Sequence, residues 1–142
     1  PFAARFDFGE TGSPVADGYT GVDPSDTYQP ATGYGWHSAP VGSRDRIAGT
    51  DMTRDLVYAG GVTFAVDVPE ATYDVTLTLG DMGSWPHDQM AVILEGHQVD
   101  SVDTAAGETA SPLKRSRLIA PASERTSISS DSSPAWIKTR MV

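Results

Sequence analysis

The longest regular alternation of hydrophobic and polar positions lies between residues 62 and 79. Val62, Phe64, Val66 and Val68 alternate with Thr63, Ala65 and Asp67; after Pro69-Glu70-Ala71, Tyr73, Val75, Leu77 and Leu79 alternate with Asp74, Thr76 and Thr78. A period of two is that of a strand with one buried face, and the two runs are expected to pair as adjacent antiparallel strands. Ala3 to Phe8 repeats the pattern, with Phe6 and Phe8 set against Arg5 and Asp7, and Gly9 ends it. Asp51 to Tyr58 predicts a short strand carrying Leu56 and Val57, with Gly60-Gly61 as the turn after it. Met90 to Leu94 and Gln98 to Val102, joined by Glu95-Gly96-His97, predict a second hairpin. Leu113 to Ile119, Thr126 to Ile128 and Trp136 to Val142 are the remaining candidate strands, with Ser129 to Pro134 as a turn.

Between these runs the chain is rich in turn formers. Gly12 to Thr32 reads as a long ordered loop pinned by Val15, Tyr19, Val22 and Tyr28; loops of this length are usually functional or carry short strands of their own. A corner follows, in which Gly33-Tyr34-Gly35-Trp36 precedes Arg44-Asp45-Arg46. Met82 to Asp88 is a loop holding Trp85, Pro86 and His87, and Thr104 to Pro112 is a small polar connection. No segment of helical period competes, and no internal repeat is present. About eight to ten short strands at this spacing predict an all-β fold, a jelly-roll β-sandwich, with a closed barrel as the alternative.

Length and composition narrow the picture. At 142 residues the chain fits one domain, spanning 1–142, and 14 Gly with 10 Pro at 39% hydrophobic content suits a turn-rich β protein. The formal net charge is −9, with Lys present only at Lys114 and Lys138. Such a surface repels a phosphate backbone, so nucleic acid is not expected as a partner. An Asp-rich, Lys-poor surface is shared by proteins of salt-loving organisms and by merely acidic secreted domains, and composition leaves both open. With no Cys there is neither disulfide nor thiolate metal site. No apolar run reaches the roughly 18 residues that suggest a membrane span. A chain opening at Pro1 reads as one that has been processed or trimmed, compatible with a lost export signal.

An ordered set of motifs carries more information than any one of them. Phe6-Asp7-Phe8-Gly9, Ser13-Pro14-Val15, Gly18-Tyr19-Thr20, Gly33-Tyr34-Gly35-Trp36, Arg44-Asp45-Arg46, Arg54-Asp55, Phe64 to Pro69, Thr72-Tyr73-Asp74-Val75, Gly80-Asp81 and Thr104-Ala105-Ala106-Gly107-Glu108 follow one another. In that order they resemble the galactose-binding-domain-like β-sandwich found beside catalytic domains in agarases, rhamnogalacturonan acetylesterases and related polysaccharide-degrading enzymes. The resemblance implies a jelly-roll module of the carbohydrate-binding type, usually an accessory part of a larger secreted enzyme. The final third departs from the pattern, its turn and last strand being only faintly visible in Asp131 to Met141.

Sugars are held by stacking their C–H faces on aromatic rings while charged side chains bind vicinal hydroxyls. Trp36 and Trp85, with Arg44, Arg46, His37 and His87 near them in sequence, supply such groups. The competing reading makes Trp36 a plug of the sandwich and has Arg44 and Arg46 bridge Asp45 or Asp55 to brace the loops. Trp85 and His87, in a Pro-containing loop, are the pair expected to be exposed. No cofactor is expected. A structural calcium ion is the alternative, with Asp23 and Asp26, or Asp81 and Asp88, as conceivable ligands, although solvated loop acids explain them more simply. His37, His87 and His97 make no zinc pattern. Catalysis by this chain finds no motif: Met82 follows Gly80-Asp81 where an esterase would carry serine, and no Gly-x-Ser-x-Gly elbow occurs. The expectation is an extracellular, noncatalytic module that binds a polysaccharide or oligosaccharide containing galactose or an acidic sugar, ligand-binding through Trp85, His87, Trp36, Arg44 and Arg46, and tethered to a catalytic domain. The alternative is a structural or assembly domain that packs on itself or on neighbours in a filament or surface layer.

Overall fold

The computed structural model describes residues 2–38, 40, 42–118, 126–130 and 135–141, the last two segments through their strand pairing. Two sheets are formed. The first runs in the order β10 (Glu108–Ala110), β7 (Ala71–Asp81), β13 (Ala135–Met141), β1 (Ala4–Phe8), β2 (Thr20–Val22). β11 (Leu113–Leu118) also pairs with β7, and β5 (Asp55–Ala59) joins β13 while carrying β4 (Gly42–Asp45) on its other side. The second sheet runs β3 (Tyr34–Trp36), β6 (Gly61–Val66), β12 (Thr126–Ser130), β8 (His87–Leu94), β9 (His97–Thr104).

The alternating apolar positions explain the packing. Phe6, Phe8, Val75, Leu77 and Leu79 of the first sheet meet Trp36, Phe64, Met90, Val92 and Leu94 of the second in one buried cluster. Across the middle the Phe8 ring lies 4.8 Å from the rings of both Trp36 and Phe64, tilted against the first and edge-to-face with the second. This is the all-β sandwich that the alternation predicts, with two facing sheets rather than one closed barrel.

The expected hairpin between residues 62–68 and 73–79 does not form. β6 takes β3 and β12 as neighbours, while β7, in the other sheet, takes β10, β11 and β13. The connector 67–70 crosses the edge of the core, burying Val68, and the Tyr73 hydroxyl donates to the Pro69 carbonyl at 2.7 Å. Alternation fixes which face of a strand is buried; the connection decides whether the next strand stays in the sheet. The hairpin of β8 and β9 shows the contrast. Its turn residues Glu95 and Gly96 have φ of 51° and 77°, the pair of positive values that a tight two-residue turn requires.

Other boundaries shift in informative ways. The long loop contains β2, which lies parallel to β1, and the polar connection after Thr104 contains β10. Residues 51–54 form a turn before β5. His87 and Asp88 belong to β8 rather than to the loop before it, and the expected turn through 131–134 lies outside the described residues. The corner from Gly33 to Arg46 divides between the sheets, β3 in one and β4 in the other. Gly35, at φ 144°, is needed there because a Cβ would collide with the backbone of Thr27 and Tyr28. That loop lies flat on β3, with the Trp36 amide donating to the Asp26 carbonyl at 2.8 Å and the Tyr28 amide to the Trp36 carbonyl at 3.0 Å.

Candidate functional site at the loop end of the sandwich

Three connections meet at one end of the sandwich: residues 46–54 after β4, 82–86 after β7 and 105–107 after β9. A Cβ on Gly83 would lie 2.7 Å from Arg46 Nε, one on Gly49 would lie 3.5 Å from the Met82 side chain, and one on Gly107 would lie 3.9 Å from the Gly83 carbonyl oxygen. These contacts make one surface of three loops. Its base is Asp81, the last residue of β7, which is fully buried. Arg46 approaches it side-on, Nε donating to Oδ1 at 2.8 Å and the terminal NH2 to Oδ2 at 2.7 Å, while the Gly83 amide donates to Oδ1 at 2.7 Å. Burial alone would push the Asp81 carboxyl up. The bonds from Arg46 and Gly83, with the nearby His87 ring, outweigh burial and hold it below the usual carboxylate range.

His87 lies behind this pair, with Nε2 3.6 Å from Asp81 Oδ2. Only 4% of its surface is exposed, against the exposure expected of a loop residue. A β-bulge causes the difference. Between His87 paired with Thr104 and Met90 paired with Val102, β8 carries one residue more than β9, and Gln89 takes φ 55°. The extra residue breaks the alternation, so His87 and Met90 both point inward while Asp88 and Gln89 face solvent. Burial holds the imidazole below its ordinary 6.5, Asp81 offsetting part of the effect. Its cross-strand neighbour Thr104 has a buried hydroxyl with no hydrogen-bond partner among the described residues.

A second two-point pair braces the neighbouring loop. Arg54 donates from Nε to Asp45 Oδ1 at 3.1 Å and from its terminal NH2 to Oδ2 at 2.8 Å, and the Ile47 amide donates to the same Oδ1 at 2.7 Å. Ile47 is held at φ 53°, a strained setting for a β-branched residue, with its side chain exposed. Trp85 projects from the adjoining loop, 68% exposed. Two large apolar side chains therefore stand in solvent on two touching loops, each anchored beneath by a paired arginine.

The five residues singled out from sequence do not converge. Trp85 is at the surface, Arg46 and His87 are beneath its loop, and Trp36 is in the core, 1% exposed, with Nε1 donating to the Asp23 carbonyl at 2.9 Å. Arg44 lies apart on β4, its guanidinium 5.2 Å from the centre of the Tyr58 ring. The bracing partners also differ from those expected: Arg46 reaches Asp81, and Asp45 is met by Arg54. Of the conceivable calcium ligands, Asp23 accepts from Thr11 and Ser25 side chains, Asp26 caps the Asp23 amide, and Asp81 is taken by Arg46.

Residues 4–99 match the sequence pattern of the Beta-agarase/YXIM esterase-like, galactose-binding domain-like family. The chain belongs to that family. Over 88 residues this galactose-binding-like module is 39% identical to the uncharacterized esterase YxiM of Bacillus subtilis (strain 168), a stretch that is 57% of this chain and 22% of that protein. A crystal structure of the YxiM protein from Bacillus subtilis matches it with a TM-score of 0.61 at 26% identity, covering 96% of this chain and 40% of the other. The module thus spans less than half the length of the proteins it matches. Within the matched segment fall β1 to β8, and with them Arg46, Asp81 and Trp85.

Sequence reasoning missed Asp81 as the organising residue of the module's loop end. The signal available was Gly80-Asp81 followed two residues later by Gly83, a carboxylate closing a strand beside a glycine that admits a large side chain. No helix among the described residues is long and apolar enough to cross a membrane.

Proposed function

We propose that this galactose-binding-like module binds a carbohydrate at the loop end, with Trp85 as its stacking surface, and serves as a noncatalytic, extracellular accessory to an enzyme domain. The observation that carries the reading is the exposed Trp85 ring on a short loop whose flanks, Asp81 and His87, are fixed in the core. A short loop held at both ends loses less backbone freedom when a sugar ring settles on its aromatic residue, which favours binding. Ile47 is a second exposed apolar side chain on the touching loop, and Ser84 beside Trp85 in the chain offers a hydroxyl to the sugar rim. The noncatalytic part rests on access: Asp81 and His87, the acid and base nearest one another at this end, are both closed to solvent and cannot meet a substrate.

Affinity electrophoresis through gels containing galactose-based plant or algal polysaccharides tests the reading. Retention of the native chain and about tenfold weaker retention of Trp85→Ala are expected. Absence of retention on every such polysaccharide would overturn it.

A further inference from the structure

The opposite end of the sandwich holds a groove of about 660 Å³, within the range of roughly 300–1,000 Å³ typical of small-ligand sites. It opens between the start of β1, the start of β2 and the residues joining β6 to β7. Phe2, Phe6 and Tyr34 supply an aromatic lining, and Arg5 and Asp67 bring charge to it. Arg5 lies over Gly18, its terminal nitrogen 3.5 Å from where a Cβ of that residue would be, and Asp67 lies beside Gly33 at a corresponding 3.4 Å. Both glycines have positive φ, 77° and 73°, which is why glycine stands there, and the charged groups lie within ordinary van der Waals reach of them.

The charge at Arg5 is unusual for this chain, which has 19 acids against 10 cations. Arg46, Arg54, Arg115 and Arg117 each meet a carboxylate, and Arg44 lies over the Tyr58 ring. Among the described residues Arg5 meets neither a carboxylate nor a ring. Asp67 in the same groove is engaged instead by the Tyr28 hydroxyl, which donates to the carboxylate at 3.1 Å. The groove therefore combines a guanidinium fork that no described carboxylate occupies, a carboxylate able to accept from hydroxyl groups, and aromatic rings.

We propose that this groove is a second ligand site, distinct from the loop end, for a carboxylate-bearing sugar of the uronic acid class. Its carboxylate takes the two-point fork of Arg5, its hydroxyls donate to Asp67, and its C–H face rests on Tyr34. A neutral hexose lacks the group that Arg5 is placed to bind. A small inorganic anion would leave the aromatic lining and Asp67 unused.

Titration of the 15N-labelled chain with D-galacturonate, followed by NMR, tests the proposal. Saturable shifts are expected at the amides of Gly18, Gly33, Tyr34 and Asp67, with D-galactose at the same concentration producing none there. Arg5→Met should weaken galacturonate binding at least tenfold with the rest of the spectrum unchanged, Arg5→Lys should weaken it less, and Trp85→Ala should leave it intact. Added sodium chloride should weaken it in the native chain, because the exposed ion pair is screened. The proposal is overturned by the absence of saturable shifts in the groove, by equal response to galactose and galacturonate, or by binding that is indifferent to Arg5→Met. Loss with Trp85→Ala would instead place the uronate at the loop end and sink the second site while leaving the first.

Discussion

At the loop end, Arg46 and Arg54 each close a two-point pair, on Asp81 and Asp45, and the apolar groups Trp85 and Ile47 stand in solvent above them. At the groove end the arrangement is inverted. The rings of Phe6 and Tyr34 are packed 5.0 Å apart, and it is Arg5 that has no carboxylate partner among the described residues. A charge whose partner lies within the fold is spent on holding loops, and what it leaves for a ligand is the shape and apolar surface of those loops. A charge without such a partner is available to a ligand directly. On the two proposals, one end takes a neutral sugar face and the other an anion.

The two ends should differ most in what their arginines contribute to stability. Arg46→Met leaves the buried Asp81 carboxylate without its main partner and is expected to cost about 3 kcal/mol in urea unfolding, whereas Arg5→Met should change stability by less than about 0.5 kcal/mol. Equal costs would erase the distinction between the two ends. Thr104→Val should raise stability by about 1 kcal/mol, because it replaces a buried hydroxyl that has no hydrogen-bond partner among the described residues by a methyl of similar size.

Acid provides a third contrast. The folded pKa of His87 lies below its ordinary 6.5, so the unfolded chain takes up that proton first; stability is full above about pH 6.5 and falls as the pH drops through the lowered value. Asp81 acts with the same sign further down, its contribution being present above its ordinary 3.8 and lost as the pH falls through the depressed folded value. Urea midpoints measured from pH 7 downward should therefore decline first in the His87 window. A midpoint that rises between pH 7 and pH 5.5 would contradict the buried neutral imidazole. The smallest effect is expected at Ile47→Asn, which relieves a positive φ at an exposed site and should raise the urea unfolding free energy by a few tenths of a kcal/mol.

Much of the fold was legible because burial follows alternation. Phe6 and Phe8, Phe64 and Val66, and Tyr73 to Leu79 all point inward at the positions their period assigns. Partnership was less legible. Nothing in Asp67-Val68-Pro69-Glu70 announces a crossing between sheets, whereas Glu95-Gly96-His97 carries the chemistry of a tight turn and the hairpin forms there, with His97 already the first residue of β9. His87 is buried rather than exposed because a single bulged residue resets the phase of β8. At the loop end, Trp85 could be found from its Pro-containing loop, but Asp81 could not be tied to Arg46: the two are brought together by strands from distant parts of the chain, and their spacing in sequence carries no trace of it. The groove at Arg5 was invisible for a related reason. An arginine without a partner is recognised only when the partners of the others are known.

The proposed carbohydrate site on the loops above the Arg46–Asp81 pair can be probed by NMR titration of the 15N-labelled chain with a neutral galactose oligosaccharide. Saturable shifts are expected at the Trp85 indole N–H and at the amides of Gly83 and Ser84, with the Arg5 groove silent. Binding that shifts the groove and leaves Trp85 unmoved, or no saturable shift at either end, would contradict it.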